Sequence, residues 1–204
     1  MDSATAIEIL RESPLSPSSE LGPFRKPDYL ALPDQPRCEL IRGRIYVMTS
    51  PTYRHQVAIG LLWRRLEDIA DRSGGAAAGA PLDVTLADHS VVQPDVIYIS
   101  PSRLNVIEER IEGAPDLLVE VLSPSTARLD RGEKLKLYAE SGVREYWLVD
   151  HAACSIEFLV NREGRFQVAL PVDDFYRSAE LPELELDLAE LWRQLDRPLV
   201  RRPA

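Results

Sequence analysis

Seven residues near the middle of the chain, Asp116-Leu-Leu-Val-Glu-Val-Leu122, constrain the fold more than any other stretch. A run this short and apolar, rich in Leu and Val and followed by Ser123-Pro124-Ser125-Thr126, fits a central β-strand covered on both faces. Glu120 sits inside it. An isolated ionised carboxylate is expensive to bury unless a cation or hydrogen-bond donors compensate it, so the strand requires a partner from elsewhere in the chain. Asp95 raises the same question. It follows Pro94 and precedes Val-Ile-Tyr-Ile, and a proline is tolerated where a strand begins. A strand-end arginine or backbone partner for Glu120, and a turn or cap role for Asp95, are the structural alternatives.

The flanking pattern is that of an α/β chain with a mixed sheet flanked by helices. Residues 1–27 are rich in Ser, Pro and acids and read as a flexible arm, leaving 28–204 as a single domain. Two strand-like runs on either side of Arg42-Gly43-Arg44 predict a hairpin. Ala58, Ile59, Leu62, Leu66 and Ile69 recur at helical spacing, predicting a helix over 53–72 with His55 on its inward face. After a Gly/Ala linker, strands are expected at 82–86 and 91–99. Asp130, with Glu133 three residues on, reads as the cap of a helix that runs through Ser141 and stops at Gly142. Strands at 144–150, 154–160 and 165–169 follow. A last helix is expected over 188–195, with Asp187 and Glu190 in the same capping spacing.

The chain has 204 residues, 45% of them hydrophobic, enough for one well-buried core. No stretch approaches the ~18 apolar residues a membrane span needs, and Asp2, Glu8 and Glu12 stand where a secretory leader would be basic and then apolar. A soluble, cytoplasmic protein with no membrane partner is expected. Cys38 and Cys154 are too few for a disulfide framework or a zinc cluster, and read as small buried hydrophobes.

Of the 24 basic residues only Lys26, Lys134 and Lys136 are lysines, so a lysine within an element invites a question. On the helix opening at Asp130, Leu135, Leu137, Tyr138 and Ala139 define the buried arc. Lys134 falls at its inner edge and faces the sheet, whereas Lys136 points to solvent. Snorkelling at the core rim is the alternative for Lys134. Two carboxylates on neighbouring strands with a lysine from the next helix form a coherent set. The carboxylates suit Mg²⁺, and the lysine can orient or deprotonate a water and offset charge on a phosphate. Ser123 and Ser125 lack a patterned His–acid pair to activate them. Tyr138, Tyr146 and Trp147 read as packing residues. Arg128 and Arg131 flank the proposed site and could touch phosphates.

At these residues the sequence resembles the Uma-type restriction endonucleases of the PD-(D/E)XK nuclease superfamily. The resemblance runs from about Tyr29 to Phe158. It rests on Glu39-Leu-Ile-Arg-Gly-Arg-Ile, His55, Pro94-Asp95-Val96, Ala114 through Thr126, Asp130 through Lys134 to Tyr138, and Gly142-Val-Arg-Glu-Tyr-Trp147 in that order. It implies a restriction-endonuclease-like core and a metal-dependent endonuclease acting on DNA with Mg²⁺ or Mn²⁺. Asp95 and Glu120 would be the metal ligands, Lys134 the catalytic lysine, and Glu39 an additional catalytic acid, with His55 and Arg131 as accessory residues. The superfamily's plainest pattern has the lysine two residues after the Glu, where this chain has Leu122; in the Uma-type pattern it moves to the following helix, where Lys134 stands. By fold analogy a homodimer would cut both strands. A non-catalytic module that binds nucleic acid or protein on the same fold is the rival class, and an RNA or structured DNA substrate is a further variant.

The net charge of -9 argues at first against a nucleic-acid partner. Its distribution does not. Residues 1–20 hold four acids and one base, and residues 171–197 hold eight acids and three bases, whereas residues 21–170 hold 21 acids against 18 bases. Three of those 21 are Glu39, Asp95 and Glu120.

Overall fold

The computed structural model describes residues 21–197. The hairpin forms as its sequence predicts: β1 (Cys38–Ile41) and β2 (Arg44–Val47) pair antiparallel across Arg42 and Gly43. Both turn residues have positive φ, 49° and 76°, the left-handed pair that suits a two-residue hairpin turn. A Cβ on Gly43 would also lie 2.3 Å from the Gly22 carbonyl oxygen. Of the arm expected over 1–27, residues 1–20 lie outside the described residues. Gly22, Phe24 and Lys26 donate backbone hydrogen bonds to Arg42, Gly43 and Asp88, leading into the short helix α1 (Lys26–Leu30).

Helix α2 (Tyr53–Ser73) opens on Thr52, whose hydroxyl accepts from the His55 amide, and closes on Gly74 in the left-handed conformation. The stretch read as a linker is instead an edge strand, β3 (Ala76–Gly79). Its small residues carry little strand propensity, but they admit the α2 side chains: a Cβ on Gly79 would lie 3.0 Å from the Trp63 ring. The strand expected over 91–99 is two strands. β5 (Ser90–Val92) joins β4 (Val84–Ala87), and β6 (Val96–Ile99) joins another sheet, the chain switching sheets at Gln93-Pro94-Asp95.

Two sheets result. One has the order β2-β1-β5-β4-β7, with β7 (Ile111–Glu112) at its edge. The other has the order β11-β10-β9-β8-β6-β3, built around β8 (Leu117–Val121), β9 (Glu145–Asp150), β10 (Ser155–Arg162) and β11 (Arg165–Ala169). β8 is buried along its length, as its composition predicts, pairing antiparallel with β6 and parallel with β9. The crossover from β8 to β9 is helical throughout 127–140: α3 (Ala127–Leu129), a π-helical turn (Asp130–Lys134) and α4 (Leu135–Glu140).

The pleat of β8 divides two cores. Leu117, Val119 and Val121 pack with Ala58, Leu62 and Leu66 of α2. A small hairpin, β12 (Phe175–Arg177) with β13 (Glu185–Asp187), and α5 (Leu188–Leu195) complete that layer. Leu118 and Leu122 face the other way, onto Leu137 and Tyr138 of α4 and onto Ile41, Val84 and Val92 of the first sheet. Each buried Leu or Val stabilises the fold by roughly 1.5–3 kcal/mol. No helix among the described residues is long and apolar enough to cross a membrane.

Candidate active site

Glu120 follows the pleat onto the same face as Leu118 and Leu122, beneath the crossover helix. On β1, Cys38 and Leu40 pack with Tyr29 of α1, which sends Glu39 and Ile41 to the opposite face, toward the second sheet. Lys134 descends between the two carboxylates. Its Nζ lies 2.8 Å from Glu39 Oε2, 2.9 Å from Glu120 Oε1 and 3.5 Å from Asp130 Oδ1. Lys134 is 1% exposed, Glu39 0% and Glu120 5%. Tyr138 donates its hydroxyl to Glu120 Oε1 at 2.8 Å, and the Gln93 amide donates to Glu39 Oε1 at 2.7 Å.

Asp95 stands just before β6, its Oδ2 accepting from the Val121 amide at 2.7 Å. His55, in the first turn of α2, sets Nε2 2.7 Å from the Val121 carbonyl and 3.7 Å from Asp95 Oδ2. Burial lowers the His55 pKa, so the ring is neutral and Nε2–H donates to that carbonyl. Nδ1 then carries a lone pair and is buried without a hydrogen-bond partner. The His151 ring meets His55 edge-on, with centroids 5.8 Å apart.

Three carboxylates therefore pair with one ammonium, and Asp95 stands near enough to feel its charge. Desolvation pushes the Asp95 pKa up to about 6, against the opposing pull of the Val121 amide and Lys134. It raises Glu120 well above the ordinary value, with Asp130, Asp95 and Glu39 adding to the rise, and it raises Asp130 too. Burial alone would lower Lys134, but Glu120, Glu39 and Asp130 outweigh it and hold the amine protonated. An ammonium has no lone pair, so in this state Lys134 donates and cannot accept a proton.

Asp95, Glu120, Asp130, His55 and His151 line a cavity of about 620 Å³. Thr49, Ser123, Ser125 and Thr126 line it too, linked hydroxyl to hydroxyl at 2.9–3.0 Å. Among the described residues no group of three His, Cys, Asp or Glu is disposed as a complete metal-ligand set. Two hard oxygen donors beside a surplus of buried negative charge do suit a cation that keeps several waters and completes its shell from a phosphate.

The placement separates the candidates. Asp95, Glu120, Lys134, Glu39 and His55 come together. Arg131 does not join them: it pairs with Glu157 on β10. Arg128 and Lys136 are exposed. Asp130 is not the helix cap. The turn at Ser123, whose carbonyl accepts from the Thr126 and Ala127 amides, starts the helix at Ala127, and Asp130 lies inside it with its carboxylate among the charges. Its position four residues before Lys134 was the available signal. Tyr138 does more than pack, since its hydroxyl bonds Glu120. The His151 neighbourhood had no local signal, being 96 residues from His55.

Comparison with known proteins agrees with this architecture. A family model described as "Uma2: Putative restriction endonuclease" matches residues 27–196. An uncharacterized protein of Synechocystis sp. strain PCC 6803 is 29% identical over 153 residues, 73% of this chain and 78% of that protein. The crystal structure of a putative nuclease belonging to DUF820 from Anabaena variabilis superposes with a TM-score of 0.71 at 21% identity, covering 85% of this chain and 99% of the other.

Proposed function

We propose, from the premise that the chain belongs to the Uma2 family of putative restriction endonucleases, that its carboxylate–lysine site hydrolyses phosphodiester bonds in DNA with Mg²⁺ or Mn²⁺. The observation that carries the reading is the buried Glu120–Lys134 contact at 2.9 Å, with Glu120 and Asp95 lining one cavity. In hydrolysis a water oxygen bonds to phosphorus as one ester oxygen leaves and takes up a proton. Asp95 and Glu120 would hold the cation, which when bound activates water and stabilises charge on the phosphate. Lys134 holds Glu120 and Glu39 in place and contributes positive charge beneath the reacting group. Glu39, fully buried between Lys134 and the Gln93 amide, supports the site from below. Neutral His55 fixes the Val121 carbonyl beside Asp95.

Plasmid nicking in Mg²⁺ or Mn²⁺ tests the reading. The wild type should convert supercoiled plasmid to the open circle, and Glu120→Gln and Lys134→Met, checked for folding by circular dichroism, should lose at least 100-fold in rate. Equal rates in all three would refute it. A wild type that binds DNA without nicking it would favour the non-catalytic module, and preferential cutting of single-stranded RNA would move the substrate. The described residues form one such cluster, so we assign cutting of both strands to a pair of copies. Analytical ultracentrifugation with DNA would show whether the pair forms.

A further inference from the structure

A phosphate entering the cavity meets Asp95, Glu120 and Asp130, all acids. Lys134 lies beneath them, its protons directed at three carboxylates. Among the described residues that line the cavity, Arg37 alone carries a permanent positive charge. It stands immediately before β1, half-buried, with Nε and Nη2 both donating to Gln93 Oε1 at 3.0 and 2.9 Å. Nη1 has no protein acceptor among the described residues, so the guanidinium is oriented by one edge and open at another.

Gln93 is itself fixed. Its Nε2 donates to Asp83 Oδ1 at 2.8 Å and to the Tyr29 hydroxyl at 3.2 Å, while that hydroxyl donates to the same Asp83 oxygen at 2.8 Å. With its donors committed there, the amide must turn its oxygen to Arg37; the reverse orientation would set an NH₂ against a guanidinium. The Gln93 backbone amide meanwhile holds Glu39, and Asp95 follows two residues later. One residue thus ties a cation on the cavity wall to both ends of the carboxylate cluster.

We propose that Arg37 is the side chain that contacts the substrate's phosphate, the attacked group or its immediate neighbour, and that Gln93 is its positioning residue. The assignment deepens the nuclease reading and rests on it. Its chemistry is that of the phosphodiester backbone: a planar cation with a free N–H edge that recognises phosphate oxygens and reads no base.

The test compares wild type with Arg37→Ala, Arg37→Lys and Gln93→Met in two assays. One is plasmid nicking resolved into kcat and KM. The other is binding of a short duplex in Ca²⁺ across a salt series. Arg37→Ala should nick about 100-fold more slowly and lower the slope of log affinity against log salt by about one. Arg37→Lys retains a charge and should keep the salt slope while losing at least 10-fold in kcat, because an ammonium cannot fork onto Gln93. Gln93→Met should do the same, with Arg37 still present but unheld. Melting temperatures close to wild type establish that all three fold, and the lysine variant carries the test if alanine does not. A wild type that nicks while Arg37→Ala nicks equally, with an unchanged salt slope, overturns the Arg37 assignment alone. A wild type that neither nicks nor binds DNA overturns the nuclease reading and this assignment together.

Discussion

Replacing Lys134 with methionine keeps most of the side-chain volume and removes the single ammonium from among Glu39, Glu120 and Asp130. Breaking a buried ion pair by deleting one partner costs about 3–5 kcal/mol, and here one deletion strands two carboxylates that lie within 3 Å of the lost nitrogen. In a chain of this size the loss corresponds to a melting temperature lower by roughly 10 °C. It should also depend on pH. Desolvation already raises Glu120 above its ordinary value of 4.5, and Lys134 is the largest influence opposing that rise, so the methionine variant raises it further. A carboxyl whose folded pKa exceeds its unfolded value takes up an extra proton on folding. Its stabilising contribution is complete below the unfolded pKa and is lost as pH rises through the folded one, at about 1.4 kcal/mol per pH unit for each proton. The gap between wild type and Lys134→Met should therefore be widest near pH 8 and narrow toward pH 5. Urea denaturation of both proteins at pH 5, 6.5 and 8 measures it. Adding Glu120→Gln to the lysine variant should recover part of the pH 8 loss, since one of the two stranded charges is gone. A gap below about 1 kcal/mol at pH 8, or an equal gap at pH 5 and pH 8, would refute the account of the cluster.

Three further expectations follow from the same charges. Millimolar Mn²⁺ should raise the wild-type melting temperature at pH 8 by about 5–10 °C if present near 100 times its dissociation constant, less at pH 5 where Asp95, with its pKa near 6, is protonated, and not at all in Asp95→Asn; differential scanning fluorimetry reads the shift. Tyr138→Phe removes a 2.8 Å donor from a buried carboxylate and should lower stability by about 1.5–3 kcal/mol in urea titrations, while a neutral outcome would mean that water replaces the hydroxyl. Asp130→Asn removes one acid from a surplus, so at pH 8 without divalent ions it should be neutral or stabilising by about 1 kcal/mol while weakening the Mn²⁺ shift; a large destabilisation would show that Asp130 is needed to hold Lys134.

The parts of the fold that were legible in the sequence are those whose residues state their surroundings. The apolar run of β8 announced a covered strand, and the apolar period of α2 gave its inward face to within a residue of both ends. The Glu120–Lys134 meeting was legible for two independent reasons: a carboxylate in a core strand needs a cation, and the helical arc turned the lysine inward. The arc survived the π-helical turn because Lys134 is adjacent to the α4 residues that anchor it. What escaped was decided at a distance. Ala76–Gly79 has no strand propensity of its own and forms β3 only because β6 and Trp63 cover it. Asp130 and Glu133 have a capping-box spacing, but the Ser123 turn had already begun the helix. β12 and β13 are three residues each, too short for a period to show. That Glu39 shares Lys134 was carried by the family resemblance, since no local pattern links residues 95 apart.

The π-helical turn at Asp130–Lys134 makes the length of this segment a variable in its own right. A π turn holds one residue more than an α-helix needs for the same advance, and losing that residue would restore ordinary helical bonding without breaking the crossover between β8 and β9. Because the wide turn absorbs the extra residue, the α-helical halves on either side would keep their present facing. With Leu137 and Tyr138 kept in the core, loss of Arg131 or Gly132 would leave Asp130 three residues before Lys134 and still on its face. A one-codon deletion there is a short hereditary step by which a descendant of such a chain could keep both its fold and its charged centre.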